Sequence, residues 1–175
     1  MTDWNALAQS IHQANVDAGW WDEWPNRKDR YNTARMLIVT ELAEGAEGAR
    51  KDLMDDHLPH RKMLDVELAD AAIRILDLAG ACEINLNFKD AARNGNGAGY
   101  WSQFWDRMRN DLERLDIVAR SVYVKGMDVA LFRIITLCKY KRIPLLEIIE
   151  EKRAYNAQRA DHKRENRAQA GGKKW

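Results

Sequence analysis

Apolar residues recur along the chain at intervals of three and four, and stretches that alternate every second residue are scarce. This pattern predicts an all-α protein. The three prolines, Pro25, Pro59 and Pro144, fall between the periodic segments, where a residue without an N–H interrupts least. A first helix is expected from about Asp3 to Ala18, followed by the loop GWWDEWPNRKD. A second runs from about Asn32 to Met54, with Asn32 or Thr33 as N-cap. DDHLPHR reads as a turn. A third helix, about Met63 to Glu83, is apolar nearly all round and is expected to be buried. NGNGAG, Asn94 to Gly99, is the clearest break. Two further helices follow, about Tyr100–Val124 and Val129–Arg142, and a last one runs from Pro144 to about Arg159. The expected fold is an antiparallel helical bundle in a single domain, 1–165, with a flexible basic tail at 166–175.

One internal echo stands out. IRILDL at Ile73–Leu78 resembles FRIITL at Phe132–Leu137. At that offset Glu67 falls on Gly126 and Asp70 on Val129. If the echo is a duplication, the second copy has lost its acids; two apolar helices of similar composition account for it equally well. Residues 91–146 read either as a helical insertion or as that degenerate repeat.

The second and third helices carry the chemistry. ELAEGAEG places Glu41 three residues before Glu44, and ELAD places Glu67 three residues before Asp70. At ~100° per residue each pair lies ~60° apart on one helix face. A wet face normally sets Lys, Gln and Arg beside its acids. Here Glu41 and Glu44 have Leu37, Ile38, Gly45 and Gly48 for neighbours, with a main apolar stripe through Met36, Val39, Leu42 and Leu53 expected opposite. Four carboxylates on two largely buried helices need a counter-charge, because burial and mutual repulsion both oppose ionisation. Arg74 is the main basic side chain nearby, either as an i,i+4 ion pair to Asp70, the favoured role, or as a phosphate contact. A divalent cation is the natural partner of the set. All-oxygen ligation suits Mg²⁺, with Mn²⁺ as the alternative, and it leaves positions open for phosphate oxygens.

Composition narrows the remaining choices. The chain carries 28 Lys and Arg against 27 Asp and Glu, a net charge of +1, so no global field favours nucleic acid or a membrane surface. No apolar run reaches the ~18 residues of a membrane span. Two cysteines in apolar helical patterns suit reduced thiols, and no signal-peptide pattern opens the chain; both fit a cytoplasmic protein.

These residues resemble a known family. GWWDEWPN, MLIVTELAEGAEGARKD and VELADAAIRILDLAG are similar to MazG-like nucleotide pyrophosphohydrolases, of the all-α NTP pyrophosphatase group. The family pattern is E-E-x-x-E, a spacer, then E-x-x-D. Glu41 and Glu44 match the second and third glutamates, Glu67 and Asp70 match E-x-x-D, and Thr40 stands in place of the first glutamate. EKRAYNAQRADHK, from Glu151, resembles the basic segment after the family's last helix. The resemblance covers roughly residues 5–90 and 147–165. It implies Mg²⁺-dependent hydrolysis of a nucleoside triphosphate to the monophosphate and pyrophosphate. Glu41, Glu44, Glu67 and Asp70 would be metal ligands, and Glu41 or Glu44 would also orient the attacking water. Lys152, Asn156 and Arg159 would hold the phosphates, with His162 and Lys163 as further candidates. The resemblance also implies a homo-oligomer, dimer or tetramer, unless residues 91–146 complete the bundle within one chain as a pseudo-dimer.

Trp20, Trp21 and Trp24 share one loop, where they either pack over the bundle end or form a wall for base stacking. Trp21 and Trp24 are taken as substrate-binding candidates, with Asn32 and Arg27 as weaker ones. His57 and His60 flank a proline, which argues against a shared metal. Trp101, Phe104, Trp105 and Met108 recur at helical spacing and are expected to form a buried stripe rather than a nucleic-acid surface. The rival function is a non-enzymatic helical module whose acidic face binds a basic partner.

Overall fold

The computed structural model describes residues 2–22, 24, 27–88 and 98–167. Asn94–Gly97 of the glycine-rich break, the tail from residue 168 and the side chain of Arg27 lie outside the described residues.

Eight α-helices form an all-α bundle among the described residues: α1 Trp4–Asp17, α2 Arg27–Lys51, α3 Met63–Ala81, α4 Ala98–Asp106, α5 Asp111–Val124, α6 Met127–Lys141, α7 Leu145–Gln158 and the short α8 Arg164–Arg167. A single 3-10 turn, Ala160–His162, links α7 to α8. None of these helices is long and apolar enough to cross a membrane.

Helix α3 is the hub. It packs against α1, α2, α6 and α7, and Val66, Leu68, Ala69, Ala71, Ala72, Ile75 and Leu76 are fully buried. This agrees with its nearly all-round apolar pattern. Helix α5 packs on α2 and α6, and α4 covers α6. The two echoed segments thus lie on α3 and α6, which pack against each other, and the helix before each, α2 and α5, also meet.

Three differences from the expected elements have local causes. Helix α2 begins at Arg27, five residues before the expected cap. Arg30, Ala34 and Ile38 are all buried, so the i,i+4 face that meets the core extends back past Asn32. Of the expected stripe only Leu42 is buried; Val39 is half-buried and Met36 and Leu53 are exposed, so the stripe as a whole is not the core face. The buried face of α2 runs instead through Ile38, Glu41, Leu42 and Gly45. The expected Tyr100–Val124 helix is two helices. Asn110 caps α5 by accepting from the Glu113 N–H at 3.0 Å, and the Glu113 carboxylate accepts from the Arg109 N–H at 2.9 Å. This reciprocal arrangement starts a new helix.

The aromatic stripe packs against the core as expected, but only Trp105 is buried; Trp101, Phe104 and Met108 are half-buried. Trp105 is fully enclosed, its indole N–H donates to Thr136 Oγ1 at 3.3 Å, and Trp101 meets Phe132 edge-on at 5.2 Å.

Candidate functional site

Two glycines set the site's geometry. A Cβ on Gly48 would lie 2.7 Å from the Met63 Cβ, and one on Gly45 would lie 3.2 Å from the Glu67 Cβ. Gly48 thus faces the start of α3 and Gly45 its second turn, while Glu41 reaches Arg74 farther along. The two helices are antiparallel and closer than side chains at these positions would permit. Their carboxylates meet just beyond the Gly45–Glu67 approach.

Glu41, Glu67 and Asp70 each offer an oxygen, and these oxygens lie within 4.8 Å of one another. At that separation two full charges repel by about 3 kcal/mol even at an effective dielectric of ~20. Three features relieve the crowding. The Arg74 guanidinium donates to Glu41 Oε1. The Lys152 ammonium, itself buried, sits 2.8 Å from Asp70 Oδ2. Glu67 keeps its proton: burial first, then the Asp70 and Glu41 carboxylates, push its pKa up to about 9. Asp70 is pushed up to about 6 by burial, against the pull of Lys152. Burial also works against the Lys152 charge, and Asp70 more than restores it, holding the amine above its ordinary pKa. Arg74 therefore pairs with Glu41 across the helices rather than with Asp70 along its own, because Asp70 already faces Lys152.

One atom remains unanswered. Glu67 Oε2 is buried with no hydrogen-bond partner, in a residue only 6% exposed. A buried acceptor without a donor costs about 1–3 kcal/mol. The donor set is all oxygen and partly closed, and its unpartnered acceptor lies beside two further carboxylates. It therefore fits a hard divalent cation.

These acids line one wall of a cavity of about 250 Å³. Glu44 lines the same cavity from an exposed position, outside the group of three. Thr40, one residue before Glu41, donates from Oγ1 to the Leu37 carbonyl on its own helix at 2.7 Å. Lys152 and Asn156, one turn apart on α7, and Arg159, the residue that caps its C-terminus, also line the cavity. Arg159 is held by Asp161, through bonds of 2.9 and 2.6 Å. Helix α7 is itself anchored by Arg61, which donates from Nε to Glu151 at 3.1 Å and also bonds Glu147.

The tryptophan assignment needs correction. Trp21 and Trp24 do not line the cavity, and Trp20 does. Trp21 is buried. Its indole stands edge-on to His12 at 4.9 Å and donates to Asp77 Oδ1 at 3.0 Å. Trp24 packs against the core. Asn32 is exposed on α2 and takes no part.

His162 lines the cavity edge-on to Trp20 at 5.1 Å. Lys163 lines only the neighbouring groove between α1 and α7. His60 pairs with Glu151 at 3.2 Å on the surface, whereas His57 reaches the cavity wall. Sequence reasoning missed Asn15, Arg30, His57 and Asp77 as wall residues. Only Asp77 left a readable signal, at i+3 from Arg74 and i+7 from Asp70 on the same face of α3.

Models of known protein families, curated proteins and solved structures contain no match to this chain.

Proposed function

We propose that this chain is a divalent-metal-dependent nucleoside triphosphate pyrophosphohydrolase of the MazG-like type. The observation that carries the reading is the convergence of Glu41, Glu67 and Asp70, with its unpartnered Glu67 oxygen, in a cavity that Lys152, Asn156 and Arg159 also line. Acids alone would repel a polyphosphate; with a divalent cation loaded they attract it. Glu41, Glu67 and Asp70 would hold Mg²⁺, or Mn²⁺ in its place. The bound ion would supply charge neutralisation at the phosphoryl oxygens and a lowered pKa for coordinated water.

The chain's own residues divide the remaining work. Glu44 is nearby but outside the tight trio. This placement suits a carboxylate that takes a proton from the attacking water and orients it. Lys152, Asn156 and Arg159 would hold the phosphates by charge-assisted hydrogen bonds. Lys152 would exchange part of its Asp70 contact for phosphate once the cation neutralises Asp70. The packing of α5 on α2 and of α6 on α3 supports a bundle completed within one chain over a dimer or tetramer. The rival reading, an acidic face for a basic partner, has less support, because Glu41 and Glu67 are buried and Asp70 is already paired.

The test is a panel of dNTPs and NTPs with Mg²⁺, scoring pyrophosphate against orthophosphate, together with Mg²⁺ calorimetry on the wild type and on Asp70→Asn. The reading expects pyrophosphate as the first product and loss of metal binding in Asp70→Asn. Orthophosphate as first product, or a silent calorimetric titration of the wild type, overturns it.

A further inference from the structure

The cavity has a second pole, seven residues along α3 from Asp70. There the Asp77 carboxylate forms part of the wall. It is held as a pure acceptor. His12 Nδ1 donates to Oδ1 at 2.9 Å, and Trp21 Nε1 donates to Oδ1 at 3.0 Å with a longer reach of 3.3 Å to Oδ2. His12 Nε2 has no hydrogen-bond partner, so the imidazole's one polar contact in the structure is this strut. A Cβ on Gly80 would lie 2.7 Å from the His12 Cβ and 2.6 Å from the Ala8 carbonyl oxygen, so α1 is clamped against α3 at this level. Both short bonds fall on Oδ1. Oδ2 keeps acceptor capacity, in a side chain 12% exposed.

The neighbours complete a slot. Trp20 offers an indole wall, and Ile73, between Asp70 and Asp77 on the same face, offers an apolar floor. Seven residues of helix span about 10.5 Å, comparable to the reach from a nucleotide's first phosphate to its base edge. A fixed, nearly dry carboxylate at that distance is a reader of base edges.

We propose that Asp77 is the specificity-determining residue for the base, and that it selects amino-bearing bases (cytosine, adenine, guanine) over the imide bases uracil and thymine. This inference rests on the pyrophosphohydrolase reading above. An exocyclic amino group projects an N–H that Asp77 can accept. The imide N–H of uracil or thymine is recessed between two carbonyl oxygens, which meet the carboxylate with lone pairs against lone pairs. An immobilised acceptor left without a donor discriminates strongly.

The experiment compares kcat/KM for pyrophosphate release from dCTP and dUTP with Mg²⁺, in the wild type and in Asp77→Asn. Magnesium calorimetry on both proteins checks that the metal pole of the variant is intact. The expected result is at least a tenfold preference for dCTP in the wild type, falling to about threefold or less in Asp77→Asn, whose amide can donate to the uracil carbonyl. If neither these nor any other triphosphate yields pyrophosphate, the underlying reading fails. If pyrophosphate appears but wild-type dCTP and dUTP are equal, the Asp77 inference alone fails. That comparison stands even if the variant does not fold. An undiminished dCTP preference in a folded, Mg²⁺-binding Asp77→Asn also overturns it.

Discussion

Substituting Glu67 by glutamine, in the metal-free protein, gives the sharpest test of the electrostatics. Glu67 titrates near 9 in the folded chain because of burial and the neighbouring carboxylates, against an ordinary 4.5. The folded state therefore binds the proton more tightly than the unfolded state. That contribution to stability is fully present below about pH 4.5 and is lost progressively as the pH rises toward 9. Each pH unit in the window removes about 1.4 kcal/mol. Asp70 behaves likewise from 3.8 to about 6, so its share is spent below pH 6.5. Between pH 6.5 and 8.5 Glu67 alone should cost the wild type about 2.7 kcal/mol by linkage. Water entering around the charged form would lower this toward about 1.5 kcal/mol.

Glu67→Gln keeps the shape and has no proton to lose. In EDTA its stability advantage over the wild type should therefore grow by about 1.5–2.7 kcal/mol between pH 6.5 and 8.5, roughly 3–10 °C in Tm for a chain of this size. Groups titrating equally in both proteins cancel in the difference. Adding Mg²⁺ should reverse the order, since a ligand bound only by the folded state stabilises by mass action and the glutamine cannot offer an anionic oxygen. The assay is urea or thermal unfolding of both proteins at the two pH values, with EDTA and then with Mg²⁺. A difference that stays constant with pH to within about 0.5 kcal/mol, or equal Mg²⁺ stabilisation of both proteins, would refute a carboxyl held protonated for want of a cation.

Glu44→Gln should leave Mg²⁺ affinity within a few-fold of wild type, because Glu41, Glu67 and Asp70 remain, while lowering kcat by roughly 10²–10⁴-fold, the usual worth of a positioned general base; calorimetry and pyrophosphate release separate the two. Gly45→Ala and Gly48→Ala should each destabilise by about 1–3 kcal/mol through overpacking of α2 against α3, and Gly45→Ala should also weaken Mg²⁺ binding, as titration calorimetry would report. Lys152→Met leaves a buried Asp70 without its ammonium, so metal-free stability should fall by about 3–5 kcal/mol, with partial recovery in Mg²⁺ and a raised KM for the triphosphate.

The fold class was legible because α1, α3, α6 and α7 each carry a 3.6-residue apolar period and end near a proline, glycine or polar turn. The acid pairs were legible because E-x-x-E and E-x-x-D sat among small and apolar residues instead of lysines. The Arg109–Glu113 break was harder to see, because a reciprocal cap uses residues that also suit a helix interior. Trp20, Trp21 and Trp24 could not be ranked from sequence. One loop holds all three, and what separates them is that Asp77, 56 residues away in sequence, captures the Trp21 indole together with His12. Arg74 was misassigned for the same reason. Its i,i+4 partner Asp70 is claimed by Lys152 from a helix 82 residues away.

The charge arrangement explains why the site is confined to one side of a bundle whose two hairpins echo each other. Helices α2 and α3 bring three carboxyls together, and without an ion the chain balances them with Arg74, Lys152 and a retained proton. Two of these are reversible: the proton can leave, and under the proposed function the lysine would turn to a phosphate. On the echoed helix α6 the positions of Glu67 and Asp70 are Gly126 and Val129. Gly126 has φ +102°, a backbone conformation that glycine adopts readily and a glutamate would not. Restoring an acid there would strain the turn that starts α6. The second hairpin is thus fitted to cover α2 and α3, and it leaves the paired acids of the first to form the chain's one carboxylate cluster among the described residues.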